Sequence, residues 1–146
     1  MGRMIRSKVF ILTVLFFALT FLAPLFATAA TVVDSKVYSE NGHRYYLIAG
    51  GDKSNPVGIS WFDAESYAVN ELGGHLVTIN SSATQDWITS NFCNNDKFIW
   101  IGLTDAEIEN KFTWVGTGEE TKYFNWNVGE PNNWGDEDYV MMYSAN

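Results

Sequence analysis

Cysteine and basic residues are scarce in this sequence of 146 residues. The one cysteine, Cys93, has no partner for a disulfide within the chain, so stability has to come from packing, a bound metal or residues outside this chain. Nine lysines and arginines stand against seventeen aspartates and glutamates, for a formal net charge of −8. No basic stripe is available to neutralise phosphates, which argues against nucleic acid as a partner. Divalent cations suit this charge better.

The N-terminal segment has the residue order of a secretory signal peptide. Three basic residues precede an apolar run over 9–26, and small residues follow over 27–30. This order predicts a signal peptide over 1–29 and a secreted or extracytoplasmic protein. The apolar run is also close to the ~20 residues that span a bilayer, so a membrane anchor through 9–26 is the alternative. The remaining sequence shows no repeat or linker, and 36–146 is predicted to form one domain.

Hydrophobic periodicity and turn residues predict an α+β fold for this domain. One helix is predicted from a capping box at Ser60 and Asp63 to the glycines at 73 and 74, and a second from a capping box at Ser82 and Gln85. The segment 98–103 is predicted to be a strand buried on both faces, and 127–138 a polar irregular loop. Further strands are predicted at 37–38 and 45–48 around an Asn41-Gly42 turn, at 76–79, at 112–115 and 123–126 as two arms of a hairpin, and at 139–143.

Five short motifs follow one another along this domain: Trp61-x-x-Ala64, Gly73-Gly74-His75-Leu76, Trp100-Ile101-Gly102-Leu103, Glu130-Pro131-Asn132 and Glu137-Asp138. In this order and spacing they resemble the C-type lectin-like domain, and the resemblance runs from about residue 37 to the C-terminus. It implies two helices packed on antiparallel sheets, with a long loop that carries Ca²⁺ and sugar sites.

Two departures from the family pattern accompany this resemblance. Most members have a cysteine in the first helix and another after the Glu-Asp pair, where this sequence has Ala68 and Tyr139. Both ends of that disulfide are absent together, so apolar packing is expected in its place. The family also continues with a Trp-Asn-Asp motif and a closing strand. Neither occurs before Asn146, and the domain is expected to be incomplete at its C-terminus, with its last strands missing.

The loop over 127–138 is rich in the ligands that calcium prefers. Calcium takes six to eight oxygens from carboxylates, amide carbonyls and water, and six loop side chains offer such oxygens: Glu130, Asn132, Asn133, Asp136, Glu137 and Asp138. The resemblance implies that a cis Glu130-Pro131 bond orients them. It further implies a sugar-binding Ca²⁺ held by Glu130, Asn132 and Glu137, and an accessory Ca²⁺ held by Asp105, Glu109, Asn133, Asp138 and the shared Glu137. The alternative is a solvated acidic loop in which proline and glycine only shape a turn.

The resemblance therefore implies a Ca²⁺-dependent binding module for glycans with equatorial 3- and 4-hydroxyls, as in mannose, glucose or N-acetylglucosamine. The alternative is a protein-interaction or structural domain of the same fold, in which Ca²⁺ only stiffens the loop. An enzyme is not expected, because no nucleophile and base occur at recognisable spacing.

Two further features leave alternatives open. Trp134 can stack on a sugar face or be buried against the base of the loop. Asn80-Ser81-Ser82 fits the glycosylation pattern Asn-x-Ser/Thr, but the start of the second helix explains the same residues.

Overall fold

The structure is a computed structural model that describes residues 30–50, 58–93 and 98–143. The predicted signal peptide over 1–29 and the alternative anchor over 9–26 lie outside these residues. Neither helix within them is long and apolar enough to cross a membrane. The described part is α+β with antiparallel strand pairing, as predicted. Its elements in chain order are β1 (Thr31–Val37), β2 (Arg44–Ala49), α1 (Trp61–Leu72), α2 (Ser82–Phe92), β3 (Phe98–Thr104), β4 (Thr113–Trp114) and β5 (Tyr139–Tyr143).

Strands β1 and β2 form the predicted hairpin, which is a two-stranded sheet of its own. The turn is closed by two backbone hydrogen bonds, from Tyr38 N to His43 O at 2.9 Å and from Gly42 N to Tyr38 O at 2.8 Å. Gly42 has a φ of 72°, a left-handed conformation that glycine adopts without steric cost. Strand β1 begins at Thr31, so the sheet includes residues that precede residue 36.

Helix α1 begins and ends where its sequence predicts. The Ser60 hydroxyl accepts a hydrogen bond from the backbone N–H of Asp63 at 3.1 Å, which satisfies one of the free donors of the first turn. Gly73 ends the helix in the left-handed region, with a φ of 66°. The helix buries Trp61, Ala64 and Ala68, and the Trp61 indole N–H donates to the Ile101 carbonyl of β3 at 2.8 Å.

Helix α2 is present, but the prediction of its cap at Ser82 is wrong by one residue. Ser81 is the extended residue before the helix, and its hydroxyl accepts from the backbone N–H of Thr84 at 3.2 Å. Ser82 is already helical, with its backbone N–H in the first turn, so it does not serve as the cap. At the other end, Cys93 is a buried free thiol, and this burial raises its pKa.

The core lies between α2 and the three-stranded sheet, whose strand order is β4-β3-β5. Strand β3 is central and buries Ile101, Gly102 and Leu103. The prediction of burial on both faces is wrong for Phe98, which is 67% exposed. This residue begins β3, and the N-terminal end of the strand extends past the core. The buried cluster consists of Ile79, Ile88, Phe92, Cys93, Ile101, Leu103, Phe112, Trp114 and Met142.

Two predicted strands are absent from the described part of the chain. Residues 76–79 are irregular and reach β3 through one hydrogen bond, from Gly102 N to Val77 O at 3.0 Å, instead of a ladder. Residues 123–126 are also irregular, because the chain returns to β4 earlier: Trp114 N donates to Glu119 O and Thr121 N to Phe112 O. Both segments supply apolar side chains to the core without strand pairing.

Apolar packing occupies the two positions where the family has its disulfide. Ala68 is buried in α1. The Tyr139 ring contacts Trp61 with ring centroids 4.8 Å apart and Phe62 with centroids 4.9 Å apart. Aromatic contacts at these distances stabilise a core beyond the area they bury, so β5 is fastened to α1 without a covalent bond, as expected.

Candidate functional site

The loop over 127–138, here called the site loop, is irregular as predicted and is held at both ends by the core. Before it, the Trp126 ring packs on the buried Phe112 with centroids 4.9 Å apart. After it, Tyr139 begins β5 and packs on α1. Gly129 and Gly135 have φ values of 94° and 78°, which only glycine adopts readily. The two anchored ends fix where the loop leaves and rejoins the domain.

Glu130 and Asn132 lie side by side in the first half of the site loop. The peptide bond between Glu130 and Pro131 is cis, as the family pattern implied. The Asn132 side-chain amide donates to Glu130 Oε1 at 2.9 Å, and its backbone N–H donates to Glu130 Oε2 at 3.2 Å. Both residues are exposed. A carboxylate acceptor and an amide donor therefore stand together at the surface.

Asn133 organises the second half of the site loop. Its side-chain oxygen accepts from the backbone N–H of Glu137 at 2.9 Å, and its backbone oxygen accepts from Asp136 N at 3.4 Å. Asn133 and Asp136 have positive φ values of 49° and 69°, which asparagine and aspartate tolerate better than most residues. Within the described residues, no hydrogen bond joins Glu137 to Glu130 or Asn132, so the proposed sugar-binding set is only partly in contact.

Three carboxylates converge beside the second half of the loop. Glu109, Asp136 and Asp138 each place one oxygen within 4.8 Å of the other two. Like charges at this separation repel each other, and neither ion pair found in the described residues, Lys36–Asp34 or His75–Glu65, involves them. Their proximity makes a position where a cation would be stabilised.

Asp105 is bonded through its backbone to one member of this cluster and is 4% exposed. Its backbone N–H donates to the Asp138 carbonyl at 3.2 Å, and its Oδ2 accepts from Asn110 N at 3.0 Å. Its second oxygen, Oδ1, is buried without a hydrogen-bond partner. A buried polar atom without a partner costs about 1–3 kcal/mol, a cost that a cation or a water molecule at Asp105 Oδ1 would offset.

The structure thus groups the predicted site residues differently from the family pattern. It joins Glu130 to Asn132, Asn133 to Glu137, and Asp105 to Asp138, and it places Glu109 with Asp138. Asp136 occupies the carboxylate cluster, whereas the pattern assigned that shared position to Glu137. The sequence offered Asp136 only as one of several loop oxygens, because its place depends on the left-handed backbone at Gly135 and Asp136. The assignment of all these residues as ligands stays a prediction.

Two large apolar side chains stand out from the site loop. Trp134 is 82% exposed and Val128 is 99% exposed. Of the two alternatives for Trp134, burial against the base of the loop is therefore wrong: its neighbours in the loop are exposed, and its backbone N–H donates to Asn132 Oδ1 at 2.7 Å. The indole is available to a ligand.

Comparison with known proteins gives a consistent family. The family model of the Lectin C-type domain matches residues 57–146. Among curated proteins, the chain is 45% identical over 83 residues to the low affinity immunoglobulin epsilon Fc receptor of Mus musculus, a match over 56% of this chain and 24% of that receptor. It is 32% identical over 94 residues to the perlucin-like protein of Mytilus galloprovincialis, a match over 62% of this chain and 60% of that protein.

Two solved structures agree in fold. The carbohydrate-recognition domain of the mouse scavenger receptor C-type lectin superposes with a TM-score of 0.52 at 36% identity, over 57% of this chain and 65% of that one. The cow CD23 carbohydrate-recognition domain, solved in the presence of a GlcNAc2Man3 oligosaccharide, gives 0.52 at 40% identity, over 58% and 64%. In each of these four comparisons the chain spans less than two thirds of the relative's length.

Proposed function

Because this chain belongs to the C-type lectin domain family, we propose that it is a Ca²⁺-dependent carbohydrate-binding module with its sugar site on the site loop. The observation that carries the proposal is the exposed pair of Glu130 and Asn132, an acceptor and a donor within hydrogen-bond distance. The family is generally non-enzymatic, and we propose a binding role without catalysis. The domain would cover 36–146 and act outside the cytoplasm, which the signal-like order of 1–29 supports.

The side chains near the loop fit a calcium ion. The side chains of the predicted set offer carboxylate and amide oxygens as metal ligands, which a hard cation such as calcium prefers. Glu109, Asp136 and Asp138 would hold an accessory ion that relieves their mutual repulsion. Asp105, whose backbone N–H is bonded to Asp138, would be a further ligand of that ion. Glu130, Asn132 and Glu137 would hold the sugar-binding ion, with Asn133 bracing the loop between them. When bound, that ion would supply open coordination positions for sugar hydroxyls.

The protein's own side chains would choose the sugar. Glu130 accepts hydrogen bonds only, and the Asn132 amide nitrogen donates only. In the free loop these two groups bond to each other. Two vicinal hydroxyls can replace that bond, one donating to the carboxylate and the other accepting from the amide, and charge-assisted bonds of this kind are the stronger ones. This donor and acceptor order suits equatorial 3- and 4-hydroxyls, as in mannose, glucose or N-acetylglucosamine.

Trp134 would add an apolar contact. An indole can stack against the C–H face of a sugar ring, and this one is 82% exposed two residues from Asn132. The cow CD23 domain was solved in the presence of an oligosaccharide of mannose and N-acetylglucosamine, which supports the same sugar class for this chain.

Affinity chromatography of the full chain on mannose resin tests the proposal. We expect retention in calcium, release by EDTA and release by free mannose. Glu130→Gln should abolish retention, because the acceptor becomes a mixed donor and acceptor, while the same change at the exposed helix residue Glu71 should leave retention unchanged.

Exchange of the two polar roles gives a sharper test. The double variant Glu130→Gln with Asn132→Asp should lose mannose retention and gain galactose retention, since the donor and the acceptor change places. Retention of the wild-type chain that persists in EDTA, or a double variant that still prefers mannose, would rule out the proposed site.

A second function is favoured by one observation. The exposed apolar side chains of Trp134 and Val128 could also form a contact with a protein partner. One relative is named as a receptor for an immunoglobulin. In this case calcium would raise the melting temperature while a glycan array shows no binding. Competition by free mannose separates the two functions, because a protein partner would be unaffected.

A further inference from the structure

The sequence Asn80-Ser81-Ser82 fits the acceptor pattern for N-linked glycans, in which the middle residue is anything but proline. Its rival explanation is the start of helix α2, because serines before a helix usually cap it. The structure separates these two explanations. The cap is Ser81, whose hydroxyl accepts from Thr84 N at 3.2 Å. Capping therefore accounts for the middle residue, which the glycosylation pattern leaves free, and not for the two residues that the pattern requires.

The side chains of Asn80 and Ser82 are not engaged in the helix cap. In the described part of the chain, neither one makes a side-chain hydrogen bond, although both are polar and both precede or open a helix. Asn80, Ser81 and Ser82 are all exposed, immediately after the buried Ile79. The acceptor nitrogen thus stands at the surface, on a segment fixed by the core.

A polar cavity of about 220 Å³ lies on the surface beside Asn80. Its polar lining offers carboxylate, ammonium and phenol groups, which hydrogen-bond readily to hydroxyls. The residues that line it are Asn80, Trp114, Glu119, Glu120, Lys122 and Tyr123.

We infer that Asn80 is the acceptor of an N-linked glycan. In the transfer, the Asn80 side-chain nitrogen forms a bond to C1 of the first sugar and releases one proton, which solvent takes up. The bond from that C1 to a phosphate oxygen of a polyisoprenyl-pyrophosphate oligosaccharide breaks, and the lipid pyrophosphate leaves with the electron pair. A host transferase supplies the catalysis. The inference needs the export that residues 1–29 predict, but it does not depend on sugar binding by the site loop.

Cell-free translation of the full chain with endoplasmic-reticulum vesicles tests the inference. We expect the protease-protected chain to migrate as a heavier species, with one glycan that an amidase removes while converting Asn80 to aspartate, as read by peptide mass spectrometry. Asn80→Gln and Ser82→Ala should lose the glycan completely, and Ser82→Thr should keep it.

The matched control is Ser81→Ala. It removes the helix cap but keeps the acceptor pattern, so glycosylation should equal that of the wild type while the melting temperature falls. Ser82→Ala should show the reverse, with no glycan and an intact cap. A protected but unmodified wild-type chain, or modification that survives Ser82→Ala, overturns the inference. A chain that stays outside the vesicles also overturns it, because Asn80 then never meets the transferase.

Discussion

The contact between α1 and β3 and the site loop are held together by different kinds of interaction. At the first, Trp61 is 7% exposed and its indole N–H reaches a carbonyl forty residues away. In the second, every residue from 127 to 137 is exposed, and the hydrogen bonds within the loop join residues two to four positions apart. The fold depends on burial across long separations, whereas the loop depends on local polar contacts.

This difference separates stability from binding. Because the loop buries almost nothing, a change to its side chains removes little apolar burial from the folded state. Changes at the α1–β3 contact remove burial and should act on the whole domain. One polar connection between the loop and the core is Asp105, which is buried like a core residue and bonded through its backbone to the last residue of the loop.

The largest effect that would distinguish the regions is expected at Trp61. Trp61→Ala removes a buried ring and leaves the Ile101 carbonyl without its donor, and large-to-small changes of this kind cost about 3–5 kcal/mol of unfolding free energy. Urea denaturation followed by circular dichroism measures it. Phe62→Ala, at the adjacent residue that is 61% exposed, is the control and should cost clearly less. Equal losses would show that α1 is not packed through Trp61.

A smaller effect is expected at Gly102, where β3 meets residues 76–77. A Cβ at this position would lie 2.6 Å from the Leu76 carbonyl oxygen, so Gly102→Ala must push two backbone segments apart. Overpacking typically costs about 1–3 kcal/mol. Gly74→Ala is the matched control, because a Cβ there meets nothing within 4 Å. If both variants melt at the wild-type temperature, the close approach does not matter for stability.

The regular elements were predictable because their signals are local. Ser60 with Asp63 and the glycine at 73 define α1 from residues that lie next to one another, and α1 matched its prediction. The predicted cap of α2 was wrong by one residue, because Ser81 and Ser82 have the same side chain and only the backbone conformation distinguishes them. Apolar and polar residues alternate over 123–126 as in a strand. The chain returns to the β4 segment before them, through Thr121, and these residues therefore form no strand.

The candidate site was less predictable for a related reason. Glu130 and Asn132 are two positions apart, so the motif alone placed them close together. The carboxylate cluster joins Glu109 to Asp136 across 27 positions. Which loop carboxylate approaches Glu109 depends on left-handed backbone residues, which hydrophobic periodicity does not predict. Backbone direction also determines the exposure of Trp134, for which the sequence left both burial and stacking on a sugar open.

The carboxylate cluster is where the loop and the core can be shown to be coupled. Extracellular modules bind calcium with a Kd of about 10⁻⁴ to 10⁻³ M, so about 10 mM calcium should stabilise the folded chain by roughly 1.4–2.7 kcal/mol. Asp136→Asn should lose most of this increment, because it removes one carboxylate, and asparagine tolerates the φ of 69° there.

Glu107→Gln is the control for that variant. It makes the same change of charge on the turn that carries Glu109, but Glu107 is exposed and outside the cluster. Thermal denaturation with calcium and with EDTA should therefore show a full calcium increment for Glu107→Gln and a small one for Asp136→Asn. Because calcium stabilises only the state that binds it, an increment lost at Asp136 would mean that an exposed loop residue contributes to the stability of the whole domain. Equal increments in the two variants would mean that Asp136 holds no ion, and that the loop and the core are independent.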